Sequence, residues 1–441
     1  MRPRTLTRAA AATYAANAGA ALLGLVNVLA IARALGPEGR GDVAFLIAVA
    51  MLSSHVVSLS VQEANANLGA SHPDARPALA TNSVLFALGL GVVAAFAVGG
   101  LAALVPALGG DAGRTLLWCA LACVPLALLK QYLTLLVQAD YAFGVTNLSW
   151  IAGPATTALL NGALAAAGAI TVATAFAAWA LGQALGLVLL CVYVARHAGF
   201  GRPDAALARA AAAFGAKAHV GRLMEVGNYR GDQWLIGATV GSRELGLYSI
   251  AVAWAELLFY LPGVLVLVQR PDLVRVDRRE AVRRAARVCR AGFLVSGVAA
   301  AALIVAAPVL CTWVFGPSFA GAVDDLRILA LGAFGIVAFE LLRNVLTAQG
   351  KPMLGSAAVG VAFVLTVSLD LLLIPEHGGR GAAIATTVAY TCGGITAALV
   401  FRHALQARLA DLWPRRDDLA WLARKAAVVV AGTPLHRRGA A

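Results

Sequence analysis

The chain has 441 residues, 60% of them hydrophobic and 13% charged, with a mean hydropathy of +0.80 and a net charge of +13. So few polar residues cannot clothe a soluble core, which excludes an ordinary globular domain of this length. A charge this basic would point to nucleic acid in a soluble protein; in so apolar a chain it reports membrane sidedness, and no nucleic-acid partner is expected.

A hydrocarbon core about 30 Å thick takes roughly 20 apolar residues per helix. On that measure the spans fall at 13–32, 43–62, 81–104, 114–138, 144–168, 172–195, 218–240, 246–269, 289–314, 323–347, 353–374 and 381–403. The runs are long and rich in Ala and Leu, whereas a membrane barrel alternates in short segments. The expected fold class is therefore an all-α polytopic membrane protein of about 12 transmembrane helices. Breakers mark the connectors: Gly36-Pro37-Glu38-Gly39, His72-Pro73-Asp74, Gly109-Gly110-Asp111, Gly316-Pro317, Gly350-Lys351-Pro352 and Gly378-Gly379. The basic start, with Arg2, Arg4 and Arg8, imitates a signal peptide, but the apolar run after it is longer than a signal core and is read as a retained helix.

With the N-terminus in the cytoplasm, 26 Lys and Arg fall on the cytoplasmic side and 6 outside, while Lys130, Arg230 and Arg343 lie within spans. That bias orients the chain as a multi-pass inner-membrane protein with both termini inside.

The two halves resemble one another. The stretch Leu35-Gly36-Pro37-Glu38-Gly39-Arg40-Gly41 returns loosely as Val240-Gly241-Ser242-Arg243-Glu244-Leu245-Gly246, and both keep Gly-x4-Gly. Gln138-Ala139-Asp140 answers Gln349-Gly350-Lys351, and Gly168-Ala169-Ile170 answers Gly381-Ala382-Ala383-Ile384. Six spans per half keep the same orientation, so the expectation is two six-helix lobes related by a parallel repeat. The N-terminal lobe would be 1–195, a cytoplasmic linker 196–217, the C-terminal lobe 218–403 and a basic cytoplasmic tail 404–441. Two such lobes have the geometry of alternating access.

Charges inside spans usually face a cavity or a partner. Lys130 lies in the fourth span. The seventh reads Glu225-Val226-Gly227-Asn228-Tyr229-Arg230-Gly231-Asp232-Gln233. At 100° per residue Glu225, Asn228 and Asp232 fall within about 60° of each other, and Arg230 points about 140° from Glu225. Gly227 and Gly231 would permit a bend that brings both sets to one cavity. Arg230 offers planar bidentate donors suited to phosphate or pyrophosphate; the alternative is an arginine paired with a carboxylate that staples helices. Glu256 in the eighth span could bind a proton or cation, or hydrogen-bond locally. Glu340 and Arg343 in the tenth form an i, i+3 pair. The repeat maps Lys130 between them, at one equivalent level in both halves; snorkelling to the inner headgroups would explain both cations equally.

There is no Walker loop and no aligned Ser-His-Asp set, so no enzyme, cofactor or metal site is expected. Cys119 and Cys123 share a helical face without accompanying metal ligands. The basic stretch 270–290 reads as a headgroup-binding helix, with membrane lipids as partners. The apolar run Leu419 to Ala431 is too short to span, and an interfacial helix or a loose tail are both open.

The stretch Ala32-Arg33-Ala34-Leu35-Gly36-Pro37-Glu38-Gly39-Arg40-Gly41 resembles the opening of the Wzx-type polysaccharide-biosynthesis flippases. Asn228 to Gln233, followed by Leu245-Gly246-Leu247-Tyr248-Ser249-Ile250-Ala251, is similar to that family's seventh and eighth spans. Gln349-Gly350-Lys351 and Gly381 to Thr386 fit its last spans. The resemblance covers nearly the whole chain and implies the multidrug/oligosaccharidyl-lipid/polysaccharide exporter superfamily with its MATE-like fold. It implies an undecaprenyl-pyrophosphate-linked oligosaccharide as substrate, with other polysaccharide-biosynthesis proteins as partners. Cavity cations of such flippases would correspond to Arg230, Lys130 and Arg343. Gly231 stands where Leu or Ile is common between the Arg and Asp. The competing readings are a MATE-like multidrug or cation exporter, and a membrane-embedded polymerase or ligase acting on the same lipid-linked sugars.

Overall fold

The computed structural model describes residues 3–105, 110–273, 278–413, 415 and 417–418. The apolar run Leu419 to Ala431 and residues 274–277 of the basic stretch lie outside the described residues. Every regular element among those described is helical. In chain order they are α1 (Pro3–Val57), α2 (Val61–Ser71), α3 (Arg76–Leu104), α4 (Arg114–Ala122), α5 (Val124–Ala139), α6 (Phe143–Ala166) and α7 (Val172–His197). They continue as α8 (Ala205–Thr239), α9 (Ser242–Leu273), α10 (Arg278–Pro308), α11 (Ala322–Leu331), α12 (Ala333–Ala348) and α13 (Pro352–Leu405), with short 3-10 and π turns between some of them.

Seven helical stretches among the described residues are long and apolar enough to cross a membrane. Two of these, Ala15–Val57 and Met353–Leu405, run 43 and 53 residues, at least twice what one crossing needs. Each is broken by a glycine, Gly36 at φ 68° and Gly378 at φ 54°. Gly36 also has ψ −172°, a backbone region that a Cβ would close off. The helices α6, α8 and α9 stand at the expected fifth, seventh and eighth spans but fall outside the seven. For α8 the reason is its polar load from Glu225 to Gln233.

The backbone carries the duplication more plainly than the side chains do. Left-handed residues recur in order at Gly36 and Gly241, Gly113 and Gly316, Tyr141 and Gly350, Gly168 and Gly378, and Gly199 and Gln406. The members of each pair are 203 to 210 residues apart, so the turns are copied even where the turn residue has changed.

Two departures from the expected spans have local causes. The second span was expected to run to residue 62, but the helix ends at Val57 and restarts at Val61, with Leu59 and Ser60 both at φ 47°. The break is held by α8: Gly215 lies so close that an added Cβ would sit 2.2 Å from the Leu59 carbonyl oxygen, and His219 Nδ1 pairs with Ser60 Oγ at 3.2 Å. The helix of the seventh span, α8, also begins earlier than the expected residue 218, inside the stretch 196–217. Only 198–204 lies outside helices, and Asp204 caps α8 by accepting from the Ala206 and Leu207 amides at 2.8 and 2.9 Å.

The chain falls into two compact units, Met1–Trp254 with Ala306–Ile328 and Phe363–Thr386, and Ala255–Val305 with Leu329–Ala362 and Thr387–Ala441. Within the first, Leu79, Leu133, Leu136, Val137, Leu190 and Val194 form one core cluster, and Leu46, Ala50, Phe176 and Trp179 belong to another. Its α6 and α7 pack through small residues, with Gly182 facing the Gly153 carbonyl. Within the second, Leu258, Ala300, Ala330 and Ala333 cluster, and Gly335 of α12 faces the Tyr390–Thr391 peptide of α13.

Candidate functional site

The candidate site is organised by α8, and it has two sides. Asn228 and Asp232 are buried, while Tyr229 and Arg230 are exposed. The helix runs unbroken from Ala205 to Thr239, so the two sets face different surroundings, as their angular separation on a helical wheel requires.

On the buried side, Asn228 Oδ1 accepts from Thr366 Oγ1 at 2.9 Å and Asp232 Oδ2 accepts from Tyr248 Oη at 2.5 Å. Asp370 of α13 is buried within electrostatic reach of Asp232, and its Oδ1 has no hydrogen-bond partner among the described residues. Two buried carboxylates from distant parts of the sequence thus act on one another, with Asn228, Thr366 and Tyr248 as neutral hydrogen-bonding groups beside them. No cluster of three or more His, Cys, Asp or Glu able to hold a metal ion occurs among the described residues. Glu225, expected beside Asn228 and Asp232, pairs instead with Arg222 at 3.1 Å near the surface, nearly two turns below Asp232.

On the exposed side, Arg230 and Arg222 both act electrostatically on half-buried His55, and Arg230 acts on buried Arg40. His55 is fixed by Ser54 Oγ at 3.4 Å, and Ser54 Oγ accepts from Gln131 Nε2 at 3.0 Å. Two arginines of α8 thus act on one histidine of α1 at this side, and a third arginine, Arg40, is buried within electrostatic reach of Arg230.

The remaining predicted residues sit as follows. Lys130 of α5 donates to Gln183 Oε1 at 2.8 Å and packs on Gly186. Arg343 pairs with Glu340 at 2.9 Å and lies 5.7 Å from the Phe339 ring centroid, as the i, i+3 spacing implied. Glu256 is half-buried on α9.

The repeated Gly-x4-Gly motif packs against its own copy. A Cβ on Gly41 would lie 1.7 Å from the Ser242 carbonyl oxygen, and one on Gly246 would lie 1.9 Å from that of Pro37. Residues 37 and 242 are themselves repeat equivalents, so the contact is reciprocal. Around it Asp42 accepts from Ser242 Oγ, Asp111 Oδ2 accepts from the Ser242 amide at 3.0 Å, and Arg33 donates to the Val314 and Trp313 carbonyls at 2.7 and 3.2 Å. Glu244 Oε1 accepts from the Gly379 amide at 3.2 Å.

A family model described as polysaccharide biosynthesis protein matches residues 30–324, which takes in α8 and the whole Gly-x4-Gly contact. The chain belongs to that family. This polysaccharide biosynthesis protein is 25% identical over 185 residues to the probable flippase AglR of Haloferax volcanii, a match covering 40% of this chain and 38% of AglR, well under half of that relative. Its fold matches that of the lipid II flippase MurJ in an inward closed conformation, with a TM-score of 0.73 and 13% identity over 96% of this chain and 93% of that one. It also matches an inward-facing MATE family multidrug transporter, with a TM-score of 0.68 and 15% identity over 88% and 94% of the two chains. The fold is MATE-like, and the protein is a multi-pass membrane protein.

The sequence singles out Arg230, Asn228 and Asp232 but not Asp370, Arg222 and Arg40, which the structure sets near them. Asp370 was legible as a lone carboxylate in the eleventh span. Arg40 falls in the connector between the first two spans and Arg222 at the cytoplasmic end of the seventh, where a basic residue carries no functional signal.

Proposed function

We propose that this polysaccharide biosynthesis protein is a flippase that carries an undecaprenyl-pyrophosphate-linked oligosaccharide from the inner to the outer leaflet by alternating access. The observation that supports it most is the group of basic residues around Arg230. An exposed arginine midway along an apolar bundle, which acts together with Arg222 on His55, suits a diphosphate that must leave the headgroup layer. The 26-to-6 bias in Lys and Arg favours cytoplasmic termini in a bacterial-type plasma membrane, which puts the Gly41–Gly246 contact on the outer side. Segments 1–195 and 218–403 act as the two lobes, with Lys130, Arg343, Glu340 and Glu256 as further polar groups along the path. Other polysaccharide-biosynthesis proteins supply and consume the cargo.

Asp232 and Asp370 form the coupling site in this reading. Two buried carboxylates that act on one another repel unless a proton or a cation is held between them. Moving that ion in or out with the gradient would change how tightly Asp232, Tyr248 and Asp370 hold α8, α9 and α13 together. In this reading the protein acts as a transporter.

The test is the leaflet distribution of lipid-linked oligosaccharide in cells lacking the protein. Cytoplasmic accumulation that wild type relieves and Arg230→Ala does not supports the reading. An unchanged distribution, with no redundant flippase present, removes it and leaves drug export, for which the buried acid pair is the favouring observation; drug-susceptibility profiles then decide.

A further inference from the structure

Arg40 has a surrounding that the reading above does not use. It is only 9% exposed, yet its Nε has no hydrogen-bond partner and no carboxylate pairs with it among the described residues. The nearby acids are occupied or turned away: Asp42 accepts from Ser242, Asp111 accepts from the Ser242 amide, and Glu38 is exposed. The charge that acts on it is another cation, Arg230. A guanidinium buried this far without an anion is strongly disfavoured by itself.

Its position adds to the effect. Arg40 lies in the first turn after the break at Gly36, with Pro37 at the start of that segment. The amides of a first turn lack intrahelical acceptors and carry the positive end of the helix dipole. The cations also form a series. Arg222 and Arg230 are eight residues apart on α8, about 12 Å at 1.5 Å per residue, and both act on His55, while Arg230 in turn acts on Arg40. In the orientation proposed above the series runs from the cytoplasmic side outward and ends at Arg40, which lies within the Gly41–Gly246 contact, between Pro37 and Gly41.

We propose that Arg40 is a second diphosphate-binding station, on the exit side, which takes the anionic head of the cargo from Arg230 as the outer contact opens. The inference rests on the lipid-linked diphosphate being the cargo. Its fork would take two phosphoryl oxygens side by side, and bound phosphate would supply the counter-charge that the protein does not.

The test uses the full chain in nanodiscs of neutral lipid, titrated separately with undecaprenyl pyrophosphate, inorganic pyrophosphate and phosphatidylglycerol. Arg40→Met removes the charge and keeps the length. It is expected to raise the unliganded Tm, because the buried charge is gone, and to weaken undecaprenyl pyrophosphate binding roughly ten- to hundredfold. Arg40→Lys should fall between wild type and Arg40→Met. Inorganic pyrophosphate should show the same ranking more weakly. If Arg40→Met binds the lipid as wild type does while Arg230→Gln binds it weakly, the second station is refuted and the Arg230 clamp stands. If phosphatidylglycerol shows the same dependence on Arg40, the residue is a headgroup site and the cargo role is refuted. If wild type binds neither pyrophosphate, the flippase reading itself fails and this inference goes with it.

Discussion

Replacing Gly246 with alanine should open the reciprocal contact between the two copies of the Gly-x4-Gly motif. Its added Cβ would lie 1.9 Å from the Pro37 carbonyl oxygen, and ordinary contact begins at 3.4 Å, so the two backbones must part by 1.5 Å. Neither side can yield locally, because the oxygen is backbone and a Cβ is held rigidly on its own Cα. Parting by that much stretches the Ser242 amide bond to Asp111, now 3.0 Å, beyond hydrogen-bonding range, and takes Ser242 Oγ from Asp42. Two hydrogen bonds at about 1 kcal/mol or slightly more each come to about 2–3 kcal/mol, or roughly 30- to 150-fold in the population of the closed contact. Hydrogen exchange of the segment 240–250 in nanodiscs reads that population directly. The substitution separates closure from local stability: Gly246 sits inside α9 at an ordinary helical φ, where alanine strengthens the helix by about 1 kcal/mol. Helix propensity alone predicts slower exchange and loss of closure predicts faster. Exchange that is unchanged or slower in Gly246→Ala refutes the claim that this contact closes one end of the protein.

Asp370→Asn should keep the fold while abolishing gradient-driven transport and sparing downhill exchange of cargo; gradient-driven transport at the wild-type rate would show the acid pair to be structural. Asp418→Asn should lower Tm through a mechanism separate from transport. Arg290 Nε donates to Asp418 Oδ2 at 2.7 Å with both side chains nearly buried, so the change strands a buried cation at a cost of about 3–5 kcal/mol. Burial alone would raise the Asp418 pKa, but the bonds from Arg290 and the Arg415 amide, with the charges of both arginines, hold it below its usual value. Its contribution is therefore fully present above about pH 3.9 and is lost only as pH falls through the lower folded value, so Tm should show no Asp418-dependent step between pH 5 and 8. In Gly335→Ala the new Cβ would sit 2.5 Å from the Thr391 amide nitrogen; separating α12 from α13 should lower Tm by an amount worth about 1–3 kcal/mol, and an unchanged Tm would mean the interface gives way.

The helical membrane class and the duplication were legible in the amino-acid sequence because both are written in local chemistry. Runs of Ala and Leu long enough to span need no partner to be recognised, and Gly-Pro and Gly-Gly connectors mark their turns. The copied motif around Gly36 and Gly241 was visible as spacing alone. Arg230 and Asp232 could be picked out because a charge within an apolar run is conspicuous wherever the run packs. Tertiary structure decided the rest, since it depends on which segments meet. Asp232 and Asp370 lie 138 residues apart, and nothing local to either announces the other. Arg40, set in a glycine-rich turn, reads as an exposed loop residue until α8 and the second copy of its own motif close around it. Glu225, on the same helical face as Asp232, goes to Arg222 because depth along α8, which a helical wheel does not record, separates the two acids. The helix break at Leu59 and Ser60 likewise follows from the close approach of Gly215, a contact across 155 residues of chain. Period and composition report what each segment is; burial and pairing exist only once the segments have been brought together.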